Sequence, residues 1–145
     1  MPDRSRKRTL NKRLISGAFL LLLAFTFLQQ RVFDNAPVET ELAGLFQQQA
    51  SKTWVEFDAR VQRLLSDDQQ GSRHQRFIVN HEGQTVLIAH NIDLAPRVPV
   101  KVGDAVFVRG RYEWNERGGV VHWTHHDPQN RRPGGWIEHR KKKFK

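Results

Sequence analysis

The sequence predicts a mainly β protein: a small five-stranded OB-like barrel preceded by an N-terminal membrane or signal helix and a short amphipathic helix. Three observations lead there. Apolar and polar residues alternate from Lys52 onward, five such stretches follow one another, and a long loop with Pro96 and Pro99 separates the third from the fourth. A small SH3-like barrel is the main rival. Six basic residues within 1–13 precede the apolar run Leu14–Leu28, the order of a Sec-type signal or signal anchor. Extended through residue 33, with Arg31 reaching outward, the run approaches the roughly 20 residues of a membrane span. No good cleavage site follows. The expectation is therefore an uncleaved inner-membrane anchor over 14–33, residues 1–13 in the cytoplasm and the rest in the periplasm, with export after cleavage as the alternative.

Residues 35–51 read as a short helix. Asn35 or Thr40 can cap it, and Val38, Leu42, Leu45 and Phe46 recur at helical spacing. The barrel occupies 52–139. In residues 54–64, Val55, Phe57, Ala59 and Val61 alternate with Glu56, Asp58, Arg60 and Gln62. Strands at 74–79 and 85–90 flank Asn80-His81-Glu82-Gly83, a hairpin signal. The fourth strand, from Ala105, puts Val106, Val108, Tyr112 and Trp114 on one side and Phe107, Arg109, Arg111 and Glu113 on the other. Gly110, at its centre, marks a bulge or sharp coil. A loop with Gly118-Gly119 leads into the fifth strand, 120–126, and the basic run 140–145 is expected to be disordered.

Charge separates tails from domain. The chain carries a formal charge of +9, yet residues between 14 and 130 hold eleven basic and thirteen acidic groups. The high pI is thus a property of the two ends and does not make the domain a nucleic-acid binder. With no cysteine, disulfides, thiol nucleophiles and thiolate metal sites are all excluded.

IAHNIDLAPR (88–97), the segment from Gly103-Asp104 to Tyr112-Glu113-Trp114-Asn115, and the HWTHHDP…GGWIEH run (122–139) resemble domain-of-unknown-function family 3465. This is a bacterial family of small proteins with an N-terminal hydrophobic segment. The resemblance covers roughly residues 52–139. It implies an OB-like fold and carries no established activity, substrate or catalytic residue.

The densest chemistry lies in Val120 to His139, which holds four of the seven histidines and two of the four tryptophans. If the fifth strand runs through residue 126, His122 and His126 share a face. His90 and His139 can then converge on the same barrel end, giving a candidate divalent-metal site, such as zinc, at His90, His122, His126 and His139. The opposing reading has these rings as hydrogen-bond donors that fix the loop against Trp123 and Trp136. A metal-dependent phosphodiester hydrolase is the enzyme hypothesis, with His122 and Asp127 as catalytic residues and arginines clamping phosphate. Its carboxylates, Asp93, Asp127 and Glu138, are scattered in sequence. The binding-domain hypothesis uses Phe107, Arg109, Arg111, Trp114, Arg131, Arg132 and Trp136, since OB surfaces offer aromatic and basic side chains to oligomeric ligands. Beyond the cytoplasm, its partner is an anionic envelope ligand or an envelope protein rather than nucleic acid.

Overall fold

The computed structural model describes residues 42–145. The membrane or signal helix expected over 14–33, and the first part of the helix expected over 35–51, lie outside the described residues. The described part of that second helix is α1, Leu42–Gln47. Leu42 is buried, Leu45 packs on the core, and Phe46 stacks on Trp114 with ring centroids 6.4 Å apart. The apolar stripe read from residues 42, 45 and 46 is therefore a packing face. It meets Trp114, not Phe107, which stands exposed on another surface.

Seven strands follow: β1 Thr53–Leu64, β2 His74–His81, β3 Gln84–Asn91, β4 Ala105–Glu113, β5 Val120–His122, β6 Trp136–His139 and β7 Lys142–Phe144. The first five close on themselves in the order β1-β2-β3-β5-β4, with β4 returning to pair β1 from Thr53↔Tyr112 to Arg60↔Ala105. All neighbours are antiparallel except β3 and β5, which run parallel through Leu87↔Val120 and Ile88↔Val121. This is a closed, OB-like five-stranded barrel. The alternation seen in sequence fills it: Val55, Phe57, Val61, Phe77, Val79, Ile88, Val108, Tyr112 and Val121 are all buried. Each large side chain removed from water contributes about 1.5–3 kcal/mol. The β2–β3 hairpin expected from the sequence turns at Glu82 (φ 49) and Gly83 (φ 92), the left-handed pair of a type I′ turn.

Three expectations change. The fifth strand stops at His122 because Trp123 adopts φ 53, which takes the chain out of the ladder four residues early. Gly110 makes no bulge, for the β1–β4 register runs through it unbroken. Its role is close approach: a Cβ there would lie 2.6 Å from His122 O and 2.6 Å from Val121 Cγ1. Finally, the C-terminal run forms β7, where Phe144 is buried opposite Ile137. A single aromatic in a basic run was enough to anchor it.

Strand β4 positions the rest. Its first half pairs β6 through Phe107↔Glu138, Val108↔Ile137 and Arg109↔Trp136. Its second half pairs β5 through Arg111↔His122. Strands β5 and β6 thus share one edge of β4, and the loop between them, residues 123–135, is thrown outward at one end of the barrel.

Candidate functional site

The 123–135 loop is built around one carboxylate. Asp127 is buried, and it accepts the backbone N–H groups of Gln129 at 3.1 Å, Arg131 at 3.0 Å and Arg132 at 3.0 Å. The Gln129 bond does most to hold its carboxyl below the usual carboxylate range; burial opposes this, and the Arg131 and Arg132 bonds add to it. A carboxylate so engaged is a clasp. Three of the roughly four acceptor sites of Asp127, the residue expected to act as a catalytic carboxylate, are thus taken by the loop backbone. The loop closes at Gly135, whose N–H donates to His125 O at 2.8 Å. A Cβ at Gly135 would collide with Trp123 O and Arg109 O, so only glycine lets the chain return to β6 here.

Two clefts flank this loop. The first, of about 630 Å³, has His122, Trp123, His125, Arg131 and Arg132 on one side, and His74, Asn91 and Leu94 of the barrel end on the other. Arg131 and Arg132 are exposed, and neither guanidinium is ion-paired among the described residues. Asp127 is the carboxylate in the wall, and it is already satisfied. The other acid nearby, Asp93, is paired with Arg73 at 2.7 Å. Two guanidiniums against the single Asp127 carboxylate leave the lining of this cleft with an excess of positive charge.

The second cleft, of about 450 Å³, lies between the loop and the outer face of β1, β4 and β6. Glu56 and Arg109 form an ion pair in it, and Arg109 Nε donates to Gly134 O at 3.1 Å. The Arg109 guanidinium sits 5.4 Å above the Trp54 ring. Trp136 stacks on Phe107 at 5.4 Å with Lys143 3.8 Å from its ring centre. His126, Pro133 and Lys145 complete the rim.

The histidines do not converge. His90 is fully buried: Nε2–H donates to Pro96 O at 3.1 Å, which leaves Nδ1 to accept from Thr124 Oγ1 at 2.8 Å. Burial pushes its pKa down to about 4, partly opposed by the Pro96 carbonyl. His139 is buried against Asp104 at 2.9 Å. His126 turns to the second cleft and His122 to the first, since the strand expected to align them ends between them. Among the described residues no three of His, Asp and Glu are grouped to hold a metal. The proposed metal set is corrected on geometry: both ring nitrogens of His90 are occupied, and the other three histidines face different surroundings. The hydrolase reading loses its support with it.

His122 keeps one unusual feature. Its Nε2 is buried without a hydrogen-bond partner, 3.6 Å from Glu113 Oε1, beyond hydrogen-bond reach. Burial lowers its pKa, and the Glu113 carboxylate works against this. Arg111 Nε forms an ion pair with the same Glu113 at 3.2 Å, without the geometry of a hydrogen bond. Burial likewise lowers the pKa of His125, whose Nδ1–H donates to His126 O at 2.7 Å while its ring stacks on Trp123 at 5.7 Å. Of the residues expected to bind ligand, Arg131 and Arg132 stand at the first cleft, and Phe107, Arg109 and Trp136 at or beside the second. Arg111 and Trp114 belong to internal contacts. Sequence reasoning missed His74, Asn91 and Leu94, which nothing local marks as neighbours of the loop, and Trp54 and Glu56, which were legible only as the outward face of β1.

No curated protein matches the chain. Residues 21–145 match the family described as protein of unknown function (DUF3465), and the chain belongs to that family.

Proposed function

We propose that this protein is a membrane-anchored, extracytoplasmic binding domain that holds an anionic ligand of the cell envelope in the arginine cleft. One observation carries the reading. Asp127 fixes the loop that presents Arg131 and Arg132, and leaves both guanidiniums unpaired beside Trp123 and His122. Ordering a loop through its backbone while leaving two cations exposed favours recognition over stability, because unpaired surface arginines add little to folding. The apolar run at 14–28, behind its six basic residues, supports the anchor and its orientation. Envelope polymers then surround the domain.

The test uses the full chain in a nonionic detergent on immobilised dextran sulfate. The double variant R131A/R132A should elute at clearly lower salt than the wild type, with an unchanged circular dichroism spectrum. Equal elution of the two proteins would place the affinity elsewhere on the chain and end the proposal. The orientation has its own check: an export-dependent phosphatase fused after Lys145 should be active. A cytoplasm-dependent fluorescent reporter at the same place should be dark, and the reverse pair of signals would refute a periplasmic domain.

A further inference from the structure

The two clefts differ in chemistry but share a wall. Arg132 lines the first and Pro133 the second, so one peptide unit, about 3.8 Å from Cα to Cα, separates them. His126 faces the second cleft while its neighbours His125 and Asp127 face the first. The loop is a thin ridge between two adjacent sites.

The second cleft also carries a carboxylate, Glu56, with Arg109 and Lys145 in its lining. Arg109 engages one carboxylate oxygen of Glu56, and Oε2 has no hydrogen-bond partner among the described residues. Arg109 gives Nε to Gly134 O and Nη1 to Glu56, which leaves Nη2 without a partner among them. A free acceptor beside a free donor is the complement of a pair of adjacent hydroxyls, each of which gives and takes a hydrogen bond. Exposed Phe107 adds apolar surface that a sugar ring's C–H face covers, while the Trp136 ring beside it is already engaged by Phe107 and Lys143.

Resting on the anion reading of the first cleft, we infer that the two clefts form one bipartite site for a linear acidic oligosaccharide, with an acidic sugar at Arg131 and Arg132 and a sugar farther along the chain, beyond the reach of a disaccharide, at Glu56, Arg109 and Phe107. OB-like barrels have the breadth for such chains. Linking the two subsites through one ligand makes the second contact intramolecular, so affinity must rise with chain length until both are filled.

The experiment is isothermal titration of the full chain in a polyoxyethylene detergent, which carries no sugar. The probes are hyaluronan oligosaccharides of two to eight units, chitohexaose as a neutral chain, and a thymidylate hexamer as a phosphodiester chain. The hyaluronan hexasaccharide should bind roughly tenfold or more tightly than the disaccharide, and chitohexaose and the thymidylate hexamer more weakly than the hexasaccharide. E56Q and F107A should each weaken the hexasaccharide several-fold and leave the disaccharide unchanged, whereas R131A/R132A should weaken both. A disaccharide bound as tightly as the hexasaccharide, still sensitive to R131A/R132A, overturns the bipartite site and leaves the anion cleft standing. A thymidylate hexamer that matches the acidic glycan overturns the sugar assignment in the same way. Binding of all probes that ignores R131A/R132A, or no binding at all, overturns the anion reading as well.

Discussion

Single residues decide whether the loop is a clasp or a catalyst. Asp127 spends its carboxylate on three backbone N–H groups, and His90 spends both ring nitrogens on Thr124 and Pro96. His90 also makes the domain sensitive to acid. Its pKa is about 4 in the folded state against an ordinary 6.5, so the unfolded chain binds the extra proton between those values. Stability from this group is full above pH 6.5, falls as pH drops toward 4, and is gone below it. The span corresponds to about 3 kcal/mol. Urea midpoints measured from pH 7 to 4 should decline accordingly, and H90Q, weaker throughout, should show a flatter decline. A wild-type midpoint constant across that range would contradict a neutral, buried His90. In the sequence, His90 stood at the end of a strand and read as a candidate metal ligand. The partners that neutralise it, Pro96 and Thr124, come from two separate loops that alternation cannot place.

At the scale of elements, the barrel was legible and its margins were not. Period-two alternation gave β1 to β4 nearly residue for residue, because each strand buries one face and a slip would expose it. Strand β5 was read too long because Trp123 and His125 continue the alternation. A positive φ at Trp123 is a tertiary outcome, set by the need to pass close over Gly110 and to launch the loop. Strand β7 was missed for the opposite reason: five charged residues around one phenylalanine look like a solvated tail. Yet Phe144 is buried against Ile137, and Lys142 and Lys143 cover the edge strand with charge, which discourages further pairing. F144A should therefore cost about 3 kcal/mol in chemical denaturation, near the low end for a buried phenylalanine. A loss indistinguishable from zero would return the run to a disordered tail.

For the whole molecule, function rests on where charge is left free. With β7 included, residues 52–145 carry 17 basic and 11 acidic side chains, and the arginine ion pairs include Arg73 with Asp93, Arg97 with Asp67, Arg109 with Glu56, and Arg111 with Glu113. Arg131 and Arg132 escape that pairing among the described residues, at a cleft whose wall carboxylate, Asp127, is held by backbone N–H groups. The sequence marked both arginines and the segment around them as the place to look, since turn residues and aromatics cluster there. It had no means of showing that the histidines of that segment would part company, because that depends on a strand ending four residues early. The most direct measurement is the salt dependence of dextran sulfate binding by the full chain, wild type beside R131A/R132A, over roughly 50 to 200 mM salt. If the cleft is the anion site, the logarithmic slope becomes shallower by about 1.4 in the variant, the share of two phosphate-like contacts on a flexible chain. Parallel slopes with equal affinity would mean that the two arginines touch no ligand and that the cleft is not the site.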